Sequence, residues 1–177
     1  MTEHTPDASP ADAPPPGSYT LDPEQTTIRA DVKAMFGLLT VHGTFRLRSG
    51  QVSIAPDPEA SSVQASIEAG SFASGNATRD ADVVSATLLD AKAYPEITFT
   101  GQGTRRDGEG WVVPGSVNAH GTAVPAEVRL SDVRLEAGGA RFRATARLDR
   151  TSFGVTKKKG MVGRTVDLVI EAVARPA

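Results

Sequence analysis

FRATARLDRTSFGV, residues 142–155, decides the fold. Phe142, Ala144, Ala146 and Leu148 alternate with Arg143, Thr145, Arg147 and Asp149. A period of two marks a β-strand with one apolar and one solvated face. The apolar face uses alanine twice, where valine or isoleucine would fill more space and suit a strand better. Outward from this stretch the same alternation recurs. Ile28, Ala30, Val32 and Ala34 share one face, as do Val41, Gly43, Phe45 and Leu47, with Ser49–Gln51 predicted as a turn into Val52 and Ile54. Val63, Ala65, Ile67 and Ala69 follow, then Ile97 with Phe99, and Trp111, Val113, Gly115, Val117 and Ala119. Ala126, Val128 and Leu130, and finally Val166, Leu168, Ile170, Ala172 and Ala174, complete the series. Short strands at regular spacing, separated by Gly, Asp and Pro turns, predict an antiparallel sandwich or barrel.

Two intervals depart from this pattern. Between Asn76 and Pro95, Val84, Leu88 and Ala91 stand at helical spacing, with Asn76 as a cap and Pro95 as a stop. They predict a short helical insertion over residues 77–91. Residues 1–17, MTEHTPDASPADAPPPG, have no apolar periodicity and read as a disordered tail, which leaves residues 18–177 as one domain.

Composition narrows the chemistry. The chain has no cysteine, which removes disulfides, thiolate metal sites and a cysteine nucleophile. A net charge of -2 with mixed signs gives no nucleic-acid footprint. No apolar run is long enough to span a bilayer, and no basic segment precedes an apolar core at the N-terminus, so a cytoplasmic address is expected. No nucleophile elbow, P-loop or dinucleotide fingerprint is present. His42 and His120, in VHGT and AHGT, lie on outward parity without partners at ligand spacing, so exposed or turn histidines are expected and no metal. Asp149 with Arg150 reads as a rim ion pair and Phe153 as a plug at one end of the core; Arg79 and Asp80 have the same structural reading. Gly37, Gly43, Gly115, Gly121 and Gly154 read as bends and bulges of a curved sheet. Lys157, Lys158 and Lys159 form either a solvated hairpin loop or a cationic collar for a ligand headgroup, with transient contact to anionic lipid as the most that is expected of a membrane. Val112, Val169 and Val173 fall on outward parity, where exposure would let two barrels pair as a homodimer.

The predicted inner face is light: Ala30, Ala34, Ala65, Ala69, Gly115, Ala119, Ala126, Ala144, Ala146 and Ala172 all fall on it. Space left empty beneath such a face costs about 24 cal/mol per Å³. Either protein packs closely against the alanines, or an apolar ligand runs through the interior.

Five motifs in order resemble the YceI-like family of lipocalin-related proteins. They are YTLDPEQTTI (19–28), VHGTF (41–45), RDADVVSATLLDAKAYPEITF (79–99), GSVNAHG (115–121) and LDRTSFGV (148–155). Asp82, Val83 and Leu88 depart from the His, Leu and Phe common there, and TAVPAEV lacks the usual Lys before Pro. The resemblance implies an all-β fold: a single extended antiparallel eight-stranded lipocalin-like barrel with a short helical insertion. It further implies binding, carriage or storage of a long apolar isoprenoid lipid, of polyisoprenoid or isoprenoid-quinone type, as a ligand without any other cofactor and without catalysis. On that reading strand parity makes Val32, Phe45, Ile67, Phe99, Trp111, Phe142, Leu168 and Ile170 wall residues. Val83, Leu88 and Leu89 become the helical lid, and Lys157–Lys159 headgroup candidates. An enzyme or accessory acting on such a lipid would need a titratable pair facing inward, and the inward set carries none. A stress-related structural module would have a dry, packed barrel.

Overall fold

The computed structural model describes residues 14–108, 110–136 and 138–177. The tail expected over residues 1–17 falls mostly outside them. In chain order the elements are β1 (Gly17–Leu21), β2 (Thr27–Ala34), β3 (Leu39–Ile54), β4 (Ser62–Ala73), α1 (Ala77–Val84), β5 (Glu96–Gln102), β6 (Arg105–Asp107), β7 (Gly110–Ala119), β8 (Thr122–Glu136), β9 (Gly139–Asp149) and β10 (Val162–Pro176). Pairing runs β10-β2-β3-β4-β5-β7-β8-β9, and β9 pairs back onto β10. Eight strands thus close into the expected antiparallel barrel. Closure leaves no long edge exposed and gives every ring strand a single inward face, which is why the alternation is so regular. β1 lies outside the ring. It pairs with both β10 (Leu21↔Ala174) and β3 (Tyr19↔Val52) and seals one end.

Three expectations need correction. Ser49–Gln51 is not a turn: β3 runs unbroken for 16 residues, and a bulge between Leu47 and Ser49 shifts its register against β4. The bulge puts both Leu47 and Gly50 on the inward side, and Leu21 seats against Gly50, where a Cβ would lie 2.6 Å from Leu21 Cδ1. The helix is also shorter than predicted. Asn76 caps it, accepting from the Arg79 amide at 3.0 Å, but it ends at Val84. There Ser85 takes the Asp82 carbonyl with its hydroxyl, and turns carry the chain to Tyr94.

The outward valines do not form the exposed patch that their parity predicts. Val112 is 0% exposed. Arg105 on β6 and Arg129 on β8 stand opposite it, and the ion pairs Arg105–Glu127 and Arg129–Asp107 cross from β6 to β8 above β7. Val173 is buried beneath the β1–β2 turn, whose Asp22 amide bonds its carbonyl and whose Thr26 hydroxyl accepts from its amide. Val169 is half-buried.

Most of the buried apolar residues fall into two clusters, while others such as Ala30, Val113 and Ala144 belong to neither. At the β1 end, Tyr19, Leu21, Ile28, Leu47, Ala172 and Ala174 pack together. At the opposite end, Leu88, Val117, Ala119, Phe153 and Val155 do so.

Candidate functional site

The strand register builds the inner wall. Across it run Val32↔Val166, Ala30↔Leu168 and Ile28↔Ile170, then Leu168↔Ala146 and Ile170↔Ala144. On the far side stand Ile67↔Ile97, Ala65↔Phe99, Phe99↔Val117 and Gly115↔Ala126. Along this wall the larger inward side chains remain only half-buried: Val32, Phe45, Ile67, Phe99, Phe142, Val166, Leu168 and Ile170. The wall is apolar, and its larger side chains do not fully cover one another. No ionisable group stands at these inward positions.

The sequence-predicted wall residues gather here, with one exception. Phe45, Ile67, Phe142 and Ile170 pack against the cluster at the sealed end, and Phe99 against the other. Val32 and Leu168 lie between the two. Trp111 belongs to neither cluster. It starts β7 beside β6, with the Arg106 guanidinium 5.0 Å from its ring centre. Of the predicted lid, Leu88 is buried and Val83 packs on the same cluster, while Leu89 is half-buried and joins neither. Phe153 plugs this end as expected, and Val155, which parity could not reach, plugs it too. Phe72 was also missed. Strict alternation from Val63 puts it outside, but the irregular β3–β4 pairing turns its ring onto Gly43, 5.2 Å from Phe45.

The polar residues take structural posts. Arg150 is not the rim partner of Asp149. It is 8% exposed, and its guanidinium donates to the carbonyls of Gly163 (2.8 Å), Val155 (2.7 Å) and Val162 (2.9 Å). Burial pulls it below the ordinary arginine range, against the opposing charge of Asp149. Asp149 instead binds the Thr151 hydroxyl at 2.5 Å and pairs with Arg164 at 2.6 Å, and these bonds hold its carboxyl below the usual range. Asp80 accepts from the amide and hydroxyl of Ser74, and Arg79 forms no ion pair with it. His42 is exposed and sits 2.5 Å from Asp31, its register partner. Burial alone would raise Asp31, but the bond to His42 and the charge of Arg29 bring it below the carboxylate norm. His120 is half-buried in the β7–β8 turn, its Nδ1 3.1 Å from the Phe153 carbonyl and its ring against Tyr94. No cluster of metal-ligating side chains occurs among the described residues.

The three lysines divide. Lys158 pairs with Asp82 of α1 and ties the β9–β10 loop to the lid. Lys157 and Lys159 are exposed, and Lys159 lines a cleft of about 530 Å³ with Phe36, Thr156 and Arg164. They stand on the rim, outside the wall.

Residues 19–174 match the family model described as the YceI-like domain. A UPF0312 protein of Pseudomonas putida (strain GB-1) is 32% identical over 160 residues, covering 86% of this chain and 83% of that protein. Among solved structures, Burkholderia cenocepacia BcnA superposes with a TM-score of 0.77 at 24% identity, over 88% of this chain and 99% of that one. A polyisoprenoid binding domain from Saccharophagus degradans, implicated in plant cell wall breakdown, superposes with a TM-score of 0.70 at 15% identity, over 90% and 98%.

Proposed function

The chain belongs to the YceI-like domain family, and from that premise we propose that it binds a long apolar lipid of the isoprenoid type inside its barrel and carries or stores it without chemical change. One observation carries the reading: the larger side chains of the apolar inner wall stay half-buried from one end cluster to the other, with Val32 and Leu168 in neither. A linear hydrocarbon laid along that wall removes apolar surface from water on both partners, at about 25 cal/mol per Å². Half-buried small residues such as Ala65, Ala126 and Ala146 give it clearance. The structural neighbour named as a polyisoprenoid binding domain supports this ligand class. Enzymatic turnover of the lipid would call for a titratable pair on the wall, and the wall residues are all apolar.

Native mass spectrometry of the purified protein, followed by solvent extraction, tests the proposal. An apolar, isoprenoid-sized mass bound one to one is expected, and protein stripped of it should take up an isoprenoid quinone. Protein that carries no lipid and takes none up would overturn the reading.

A further inference from the structure

At the lid end, the β2–β3 hairpin carries an apolar tip into solvent. Phe36 is 80% exposed and Leu38 82%, with Met35, Leu39 and, from the adjoining loop, Met161 beside them also exposed. Large apolar groups gathered on one protrusion mark a contact site. Two further observations say what kind.

The first is backbone satisfaction. The amides of Met35 and Phe36 donate to the carbonyls of Met161 and Gly160, and those of Gly37 and Leu38 to Ala34 and Met35. The four amides from Met35 to Leu38 are therefore already paired, so the turn can meet an apolar medium without stranding those donors. The second is charge. Lys33 on β2, next to Gly163, and Lys157 and Lys159 on the adjoining loop are exposed and join no ion pair among the described residues. Carboxylates beside the tip and its loop are paired: Asp82 with Lys158, Asp149 with Arg164, and Asp31 with Arg29. What remains is an apolar point within a cationic collar.

We propose that this tip docks the barrel, lid end first, onto an anionic lipid bilayer, with Phe36 and Leu38 entering the interfacial region and Lys33, Lys157 and Lys159 facing the headgroups. A convex hairpin of this size covers too little area for a stable protein interface, whereas a bilayer yields around it. The lysines then serve many headgroups on a surface rather than one headgroup inside the barrel. Docking stands whether or not the interior takes an isoprenoid, because it uses only the outer tip.

Flotation of the full chain with vesicles containing no isoprenoid tests it. Vesicles of equal parts phosphatidylcholine and phosphatidylglycerol should carry the protein at low salt, and phosphatidylcholine alone should carry it far less. The F36S/L38S variant, whose changes lie in solvent, should keep its circular dichroism and lose at least about tenfold in vesicle affinity. The K157Q/K159Q variant should lose about fivefold for each lysine and show a flatter salt dependence. Absence of binding to the anionic vesicles, or binding equal in both variants and the parent, would overturn docking. So would a parent chain that dimerises in sedimentation and is dissociated by F36S/L38S without ever floating, since the tip would then meet a second copy.

Discussion

Arg150 shows how far adjacency in sequence misleads at the scale of one residue. Asp149–Arg150 reads as an ion pair because the two are neighbours, but the chain leaves β9 there for a 3-10 turn, Arg150–Phe153, and the side chains part. Asp149 turns to Arg164 at the surface, while Arg150 turns inward and gathers three carbonyls from segments 5, 12 and 13 residues away. Those carbonyls are the part no linear reading reaches. Losing bonds from a charged donor and leaving its acceptors buried costs more than losing an exposed pair. Arg150→Met should therefore lower unfolding stability by about 3 kcal/mol, and Arg164→Gln by less than about 1 kcal/mol. Urea titration of both variants checks this; equal losses would return Arg150 to the rim.

At the scale of the element, the ring strands were legible because each buries one face in a closed barrel, so parity survives along most of their length. Parity failed where pairing slips. Ser49–Gln51 carries a turn's composition, yet β1 and β4 hold it in the sheet, and Gly50 is needed there because Leu21 occupies the place of a side chain. The β4 irregularity likewise turned Phe72 inward against expectation. The helix length failed for a local reason, since the Ser85 hydroxyl competes for the carbonyl that would continue the ladder. Gly50→Val should cost about 1–3 kcal/mol by overpacking against Leu21. A double-mutant cycle with Leu21→Ala should recover about 1 kcal/mol or more of that loss as coupling. Strictly additive effects would mean that Leu21 does not seal the barrel at Gly50.

Over the whole molecule, the sequence carried the fold class and most of the wall through its alanines, but the division into two clusters belongs to the barrel alone. Neither β1 nor the Phe153–Val155 plug has an apolar pattern that reveals which end it closes; only the pairing of β1 with β3 and β10 and the route of the β9–β10 loop decide that. The central claim is that the space between the clusters is open to an apolar chain. Ala65 and Ala146 are both half-buried on the inward wall, so Ala65→Leu with Ala146→Leu fills that space from within. Titration of an isoprenoid quinone into lipid-stripped parent and double variant, with unfolding curves for both, is the direct measurement. The account predicts saturable uptake by the parent, its loss in the variant, and a stability change within about 1 kcal/mol, since the added methyl groups enter open space. A variant destabilised by about 3 kcal/mol or more, as overpacking of a solid core would give, or one that takes up quinone as well as the parent, would contradict it.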